Sequence, residues 1–279
     1  MLEDNPVPWP DGARCAACVS FDLDADSLIH LARPQDASGL NLTLSLLRYD
    51  EVGIVRAVRT LDALGVRGTF FATGWVMEQF PRAIEAIAAS GHELANHGYL
   101  HELPNTQTRG QQLDAIERTS ALIERFSGRR PVGWRAPWGA MANESAEILA
   151  ELGFLYDSSL QIDTQPVLLR SAAGDLVELP IDLAMDDWVH FAHVPDLAYT
   201  MPIKPPAQAF EVYRAELAGA RASGGTWITI FHPHMTARPS RLLELARLVE
   251  EIREAGDVWL ATMEEIAAHV HACIDDGRW

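Results

Sequence analysis

The sequence has few cysteines and almost no lysine. Its 279 residues include three cysteines, and Lys204 is the only lysine, so arginine supplies the rest of the positive side-chain charge. The low cysteine content is typical of a protein from a reducing compartment. Cys15 and Cys18 form a CxxC without a second pair, whereas a structural zinc site needs four ligands. We therefore interpret both as plain thiols.

Long apolar runs, an export signal and excess positive charge are also missing. No stretch of about 18 apolar residues occurs, which argues against a transmembrane helix. The N-terminal sequence MLEDNPVPWPDG is acidic and rich in proline, unlike the basic start and apolar core of a secretory signal. We therefore expect a cytoplasmic protein. The net charge of −17 argues against binding to nucleic acid or to an anionic membrane.

Short apolar runs rich in β-forming residues alternate with helical patterns along the chain. Strands are predicted at 18–23, 68–73, 92–96, 132–136, 154–158, 176–181, 227–231 and 258–262. Helices are predicted at 50–64, 81–90, 111–126, 143–152, 206–223, 241–255 and 263–273. Strand–helix alternation indicates parallel strands joined by crossover helices. We predict an α/β fold with one domain over 1–279, a distorted (β/α) barrel of about seven parallel strands. The proline-rich segment 183–206 is predicted to be a long loop or lid near the barrel mouth.

Polar side chains lie at or just after the ends of four of the predicted strands. In barrels of this type the carboxyl ends of the strands form the active site, so these side chains are expected to lie together. They are Asp22 and Asp24 in FDLDAD, His97 and His101 in NHGYLH, Arg135 and Trp138 in RAPWG, and His232 and His234 in FHPH.

The first of these clusters creates a need for a cation. Alternation along the strand directs Asp22 and Asp24 to the same side, where two charges about 5–6 Å apart repel by roughly 3 kcal/mol at an effective dielectric near 20. A divalent cation beside Asp24 offsets that repulsion. His97 and His101 have the spacing that lets two imidazoles on one helical turn reach one ion, and a carboxylate from another strand completes the set. The alternative is that both histidines are exposed in a loop.

The remaining polar residues have less specific interpretations. Arg135 can hold a carboxylate through two hydrogen bonds, and Trp138 can form a pocket wall. His232 is the natural acid near neutral pH. The alternatives are a surface arginine, a core tryptophan and a hydrogen-bonded core histidine. His92 is interpreted as a structural, hydrogen-bonded residue. For His234 the sequence does not choose between a functional role in the site and a structural role.

The motifs FDLDAD, NHGYLH, RAPWG and FHPH occur in an order that resembles the polysaccharide deacetylases with a NodB homology domain, carbohydrate esterase family 4. That family usually has two adjacent aspartates in its first motif, whereas Leu23 separates Asp22 from Asp24 here. YDSSLQ, ELPIDLAMDDW and HPHMTARPSR resemble a branch with intracellular peptidoglycan-deacetylase-like proteins and allantoinase- or cyclic-imidase-like amidases. The resemblance extends from about Cys18 to Ala267.

The resemblance implies a metal-dependent hydrolase of non-peptide C–N amide bonds that removes N-acetyl groups from amino sugars. Asp24, His97 and His101 would hold one divalent metal ion, with zinc expected before other first-row metals. Some amidases of the related branch have lost their metal ligands, whereas this chain has all three. The same branch implies a homo-oligomer such as a tetramer.

The resemblance also implies roles for the other site residues. Asp22 would be the general base, Arg135 would orient it, and His232 would be the general acid. A carboxylate close to His232 would keep it protonated, and either Asp163 or Asp187 is a candidate. The residues expected at the substrate are Trp138, Asp163 and Asp187.

Two other functions compete with deacetylation. One is a small-molecule amidase acting on a cyclic imide, ureide or formamide; the absence of a recognisable export signal and the acidic net charge favour it over an enzyme of the external cell wall. The other is an inactive carbohydrate-binding module. The presence of both Asp22 and His232 argues against the inactive module.

Overall fold

A computed structural model describes residues 6–279 of the chain. Residues 1–5 lie outside the described residues. They are the first part of the N-terminal sequence MLEDNPVPWPDG, for which the absence of an export signal is an expectation from sequence. The described part contains ten strands and twelve α-helices. The strands are β1 (Cys15–Cys18), β2 (Ser20–Leu23), β3 (Thr69–Ala72), β4 (Glu93–Asn96), β5 (Gly133–Trp134), β6 (Tyr156–Asp157), β7 (Val167–Ser171), β8 (Gly174–Glu178), β9 (Thr226–Ile228) and β10 (Val258–Leu260). The helices are α1 (Ser27–Ala32), α2 (Leu42–Leu47), α3 (Asp50–Leu64), α4 (Gly74–Gln79), α5 (Pro81–Ala89), α6 (Arg109–Ser127), α7 (Ser145–Glu151), α8 (Trp188–Phe191), α9 (Pro206–Ser223), α10 (Pro233–Thr236), α11 (Pro239–Ala255) and α12 (Met263–Asp275).

The strands form the predicted barrel of parallel strands. One sheet has the order β2-β3-β4-β5-β6-β8-β7, and a smaller sheet has the order β10-β1-β9. β1 and β2 are separated by Val19 alone, so one stretch of chain serves both sheets. Isolated parallel bridges join Phe21 of β2 to Phe231 and Asp186 to Ile230, so the segment that follows β9 pairs with β2 on one side and with the segment that follows β8 on the other. The carboxyl ends of these strands therefore meet around one opening.

The structure also contains elements that the hydrophobic pattern does not predict. β7 runs antiparallel to β8, and its residues are only partly buried, so it lacks the alternation of buried and exposed positions that identifies a strand. The helices α1, α2 and α4 have six residues each, too few for a clear helical period. Within residues 6–279, no helix combines the length and apolar character that crossing a bilayer requires.

The segment 183–206 lies at the barrel mouth, as predicted, but it is packed rather than an open loop. It contains α8 and two short 3₁₀ turns, Leu183–Met185 and Pro195–Leu197. Trp188 and Phe191 are buried in an apolar cluster that also includes Leu44 of α2. Burial of these side chains holds the segment against the barrel.

Both cysteines of the CxxC are buried free thiols in β1. Burial raises the pKa of Cys15 to about 11 and that of Cys18 to about 12. Both sulfur atoms are therefore protonated at neutral pH, which agrees with the plain-thiol interpretation.

Helix α3 packs directly behind the FHPH segment because it has a glycine at the contact. A Cβ atom on Gly53 would lie 2.9 Å from the carbonyl oxygen and 3.0 Å from Cβ of Pro233, the residue after His232. These distances are shorter than normal van der Waals contacts, so any larger side chain would push α3 and this segment apart.

We predict that Gly53→Ala lowers the free energy of unfolding by about 1–3 kcal/mol, the usual cost of overpacking. Gly219→Ala is the matched control, because Gly219 lies within α9 and a Cβ there meets no atom within 4 Å. The control should raise stability by roughly 0.5–1 kcal/mol. Denaturant unfolding measures both, and equal effects of the two substitutions would contradict the packing argument.

Candidate metal and catalytic site

A cavity of about 500 Å³ opens at the carboxyl ends of the strands. Its polar lining comes from the predicted clusters, with Asp22, Asp24, His97, Arg135 and His232 among the lining residues. His101 and Trp138 also line it, together with side chains of segment 183–206. Residues from at least four separate strand ends therefore meet in one space.

Asp24, His97 and His101 form a compact group with ligand atoms within 4.8 Å of one another. His97 Nε2 lies 3.3 Å from Asp24 Oδ1, and His101 Nε2 lies 3.4 Å from Asp24 Oδ2. None of the three side chains is more than 5% exposed. One carboxylate and two imidazoles in this arrangement are a common ligand set for a divalent metal.

The hydrogen bonds around this group fit a bound cation. Asp24 Oδ1 and His101 Nδ1 are buried and have no hydrogen-bond partner among the described residues. His97 Nδ1 lies 2.8 Å from the carbonyl oxygen of Arg135, so Nδ1 donates, and in the neutral ring Nε2 presents a lone pair toward Asp24. A carbonyl that fixes the tautomer in this way is typical of metal-ligating histidines.

The carboxylates and imidazoles of this group also favour a positive charge among them, as the direction of their pKa shifts shows. Burial alone would lower the pKa of His97, but the nearby carboxylates of Asp22 and Asp24 outweigh it, and the pKa is raised. Burial would raise the pKa of Asp24, whereas the histidines around it lower that pKa well below its usual value. The carboxylates thus favour a cation at the position of the imidazole nitrogens.

The prediction that His97 and His101 share one helical turn is wrong. Both lie in the loop after β4, where Gly98 and His101 adopt positive φ angles of 72° and 61°. Glu102 stabilises this loop by accepting hydrogen bonds from the backbone N–H groups of Tyr99 and Leu100. The imidazole rings are 5.2 Å apart and nearly perpendicular, so the tight loop, not a helix, brings both nitrogens to Asp24.

Arg135 is buried and contacts Asp22, although not through two parallel hydrogen bonds as expected. Its Nη1 lies 2.7 Å from Asp22 Oδ1 and 3.1 Å from Ser20 Oγ. Its Nε and Nη2 donate to the carbonyl and hydroxyl oxygens of Ser158. The guanidinium carbon also lies 4.0 Å from the ring centroid of Phe71. Arg135 is thus held on several sides while it fixes one oxygen of Asp22.

Asp187, not Asp163, is the carboxylate beside His232. His232 Nδ1 lies 2.7 Å from Asp187 Oδ1, while the other oxygen of Asp187 accepts hydrogen bonds from the His232 N–H and the Thr236 hydroxyl. Burial would lower the pKa of His232, but the charges of Asp187 and Asp24 raise it well above its usual value. Asp163 is exposed, accepts bonds from the N–H groups of Thr164 and its neighbour Gln165, and lines a separate groove.

Trp138 lies at the mouth of the cavity and not in the core. It is 57% exposed, and its ring stacks on Tyr199 of segment 183–206 at 6.0 Å. Tyr199 in turn meets Trp188 edge-on at 5.0 Å. These three aromatic rings form an apolar part of the cavity lining.

Sequence reasoning misses the aspartates at positions 50 and 186. Asp186 lines the cavity, and burial raises its pKa to about 7. Asp50 binds His234 Nδ1 at 2.9 Å and accepts the N–H of Ala25, which has a positive φ of 44° immediately after Asp24. Asp50 begins α3, so the sequence offers only a helix-start signal for it. His234 is thereby a structural residue that supports the Asp24 turn.

His92 has the structural role that the sequence indicates. Its Nδ1 accepts the backbone N–H of Gly68 at 3.1 Å, and His92 is not among the residues that line the cavity. This contact joins the start of β4 to the residue before β3.

Comparison with known proteins links the site to a family. The family model described as polysaccharide deacetylase matches residues 49–156. A crystal structure of a protein from Mycobacterium smegmatis, assigned as a polysaccharide deacetylase, is 41% identical with a TM-score of 0.91, over 96% of this chain and 93% of that one. A peptidoglycan deacetylase of Helicobacter pylori is 27% identical over 78% of this chain and 83% of its own. The structure of Puue allantoinase, 22% identical with a TM-score of 0.81 over 96% of this chain and 93% of that one, shares the fold.

We predict that His234→Ala lowers the free energy of unfolding by about 3 kcal/mol, because it leaves the Asp50 carboxylate buried without its partner. His193→Ala is the control, since His193 is exposed and substitutions at such positions usually change stability by less than about 0.5 kcal/mol. Chemical denaturation of both variants measures the free energy of unfolding. A loss below about 1 kcal/mol for His234→Ala would contradict the supporting role of this pair.

Proposed function

This chain belongs to the polysaccharide deacetylase family, and on that premise we propose that it is a metal-dependent deacetylase of N-acetylated amino sugars. As a member, it is a hydrolase of carbon–nitrogen bonds other than peptide bonds. The observation that carries the proposal is the meeting of a metal-ligand set, a carboxylate held by arginine and a histidine held by aspartate in one cavity. Together they provide the groups that amide hydrolysis requires.

Asp24, His97 and His101 would hold a divalent cation, with zinc as the first candidate. Bound there, the ion would polarise the amide carbonyl and lower the pKa of water. The buried, unpartnered Asp24 Oδ1 and the tautomer of His97 set by the Arg135 carbonyl support this ligand set. Other first-row metals would bind the same nitrogen and oxygen ligands.

Asp22 is suited to remove a proton from the attacking water. Arg135 binds Asp22 Oδ1 at 2.7 Å, which orients the carboxylate and leaves Oδ2 on the side of His97, 3.9 Å from its Nε2. Asp22 itself is 4% exposed and lines the cavity, so a bound water or substrate can reach it. A positioned base of this kind typically contributes about 10²–10⁴-fold to the rate.

His232 is suited to protonate the leaving nitrogen. Asp187 engages Nδ1, so the second nitrogen of the imidazolium, Nε2, carries the transferable proton. Nε2 lies 3.3 Å from Asp24 Oδ2, on the cavity side of the ring. The neighbouring carboxylates that raise the pKa of His232 keep this proton in place until the leaving group forms.

The cavity favours a substrate of one or two sugar units, or a smaller amide. Its volume of about 500 Å³ is within the range of small-molecule sites, about 300–1,000 Å³. Trp138 and Tyr199 stack on each other and both line the cavity, and we propose that they restrict the path of a long glycan. The same restriction supports a second candidate function, an amidase of cyclic imides, ureides or formamides.

We predict that purified protein binds about one divalent metal per chain and that His97→Ala abolishes this binding. The matched control is His92→Ala, which removes another buried histidine that lies away from the cavity. Elemental analysis and competition with a chromogenic chelator measure stoichiometry and affinity. Full metal content in His97→Ala, or hydrolysis by wild type that persists in excess chelator, would refute the ligand assignment.

We predict that Asp22→Asn retains the metal but lowers kcat by about 10²–10⁴-fold, because it removes only the base. Asp163→Asn provides the control, since Asp163 is exposed and outside the cavity, and its activity should equal that of wild type. Steady-state kinetics on metal-loaded protein measures kcat for both variants. Activity of Asp22→Asn within about threefold of wild type would eliminate Asp22 as the base.

The substrate class is tested with a panel that contains N-acetylglucosamine, its oligomers, cyclic imides, ureides and formamides. We expect acetate release from N-acetylglucosamine or short oligomers, and kcat/KM that does not rise with oligomer length. Ammonia release or ring opening without acetate release would favour the amidase. A kcat/KM much higher for long oligomers than for all small amides would contradict the small-substrate proposal.

A further inference from the structure

Two buried carboxyl groups face each other behind the wall of the cavity and have no role in the reaction above. Asp157 at the end of β6 and Glu178 at the end of β8 are register partners, and both are fully buried. Among the described residues, neither forms an ion pair with a basic side chain within 4.0 Å. Two ionised carboxylates at such a position would repel each other without a counter-ion.

The hydrogen bonds of the pair account for only half of its oxygen atoms. Asp157 Oδ1 accepts the Ser159 hydroxyl at 2.6 Å. Glu178 Oε1 accepts the backbone N–H groups of Ser159 and Leu160 at 3.0 and 2.9 Å. Asp157 Oδ2 and Glu178 Oε2 are buried and receive no bond from any donor among the described residues. A hydrogen bond between these neighbouring carboxyl groups would satisfy both oxygens, and it would require a proton on one of the two groups.

The segment held by this pair also holds the arginine of the active site. Ser159 Oγ accepts the N–H of Ala136, the residue after Arg135, at 2.8 Å. Ser158, between Asp157 and Ser159 in the sequence, binds Arg135 through its carbonyl and hydroxyl oxygens. Arg135 in turn fixes Asp22. A continuous chain of contacts therefore runs from Glu178 to the proposed base.

We propose that Asp157 and Glu178 share one proton and that the pair positions Arg135, and through it Asp22, by fixing residues 157–160. The link to Asp22 rests on the proposed function. A shared proton leaves a single negative charge on the pair. Arg135, which follows β5 and is the positive charge that acts on Asp157, therefore keeps its hydrogen bonds to Asp22 and Ser158. Burial raises the pKa of both carboxyl groups, in agreement with a retained proton.

The shared proton is tested by infrared spectroscopy at about pH 8.5, where other carboxyl groups with a pKa of about 7 are almost fully ionised. Those other groups are Glu93 and Asp186. We expect a carboxylic-acid C=O band in wild type that is lost in both Glu178→Gln and Asp157→Asn. Glu93→Gln, which changes another fully buried glutamate, should retain the band. Absence of the band in wild type, or its persistence in either pair variant, would overturn the shared proton.

The positioning role is tested by comparing Glu178→Ala with Glu178→Gln. Gln can donate to Asp157 and preserve the single negative charge, so kcat should stay within about threefold of wild type. Glu178→Ala should lower kcat by about 10- to 100-fold with a smaller change in KM, because a displacement of about 1 Å in a catalytic group has effects of this size. Equal kcat values for wild type and both variants would overturn this role.

A second readout does not depend on any substrate. Hydrogen exchange of the Arg135 Nε–H, followed by NMR, reports whether its bond to the Ser158 carbonyl persists. Exchange should be about tenfold faster or more in Glu178→Ala and unchanged in Glu178→Gln. If wild type hydrolyses no amide, the proposed function fails while this exchange still decides the positioning. Equal exchange rates in wild type, Glu178→Ala and Glu178→Gln would overturn the positioning role of the pair.

Discussion

The site depends on the compensation of negative charge buried at the carboxyl ends of the strands. Asp22, Asp24 and Asp187 are each less than 5% exposed and line or adjoin the same cavity. Arg135 compensates Asp22, and the His232 imidazole, whose pKa is raised by the carboxylates beside it, compensates Asp187 when it is protonated. Asp24 has only imidazole nitrogens around it, so it needs a further cation or protons on its histidines. Most of the site's hydrogen bonds serve to orient one of these three carboxylates.

The barrel supplies this arrangement because parallel strands deliver their ends to one opening, and short irregular turns then aim the side chains. Ala25, His101 and Trp138 all have positive φ angles, of 44°, 61° and 59°. Non-glycine residues in this region cost free energy and are retained where surrounding contacts hold them. Asp50 holds the turn at Ala25, which directly follows the carboxylate at position 24. The support therefore reaches from α3 and α10 to Asp24, one of the proposed metal ligands.

The sequence predicts which polar motifs meet at the mouth of the barrel because each motif comes at or just after an apolar run, although the predicted strands 132–136, 176–181 and 227–231 end two to three residues beyond the observed ones. The sequence predicts the position of a side chain less well where that position depends on how a loop folds. Asp163 and Asp187 are equivalent candidates by sequence, but only segment 183–206, packed through Trp188, brings a carboxylate to His232. The spacing of His97 and His101 indicates a helix, yet the glycine between them allows a tight loop. The Asp157–Glu178 pair has no local signature, since its members lie on different strands.

X-ray absorption spectroscopy on protein loaded with one equivalent of zinc tests the central claim most directly. The account predicts a first shell of nitrogen and oxygen atoms at about 2.0–2.2 Å, with the outer-shell scattering of two imidazole rings. His101→Ala should reduce that scattering to one ring. Sulfur ligands at about 2.3 Å would contradict the account by moving the metal to the cysteines. A shell without imidazole would equally contradict a cation held by Asp24, His97 and His101.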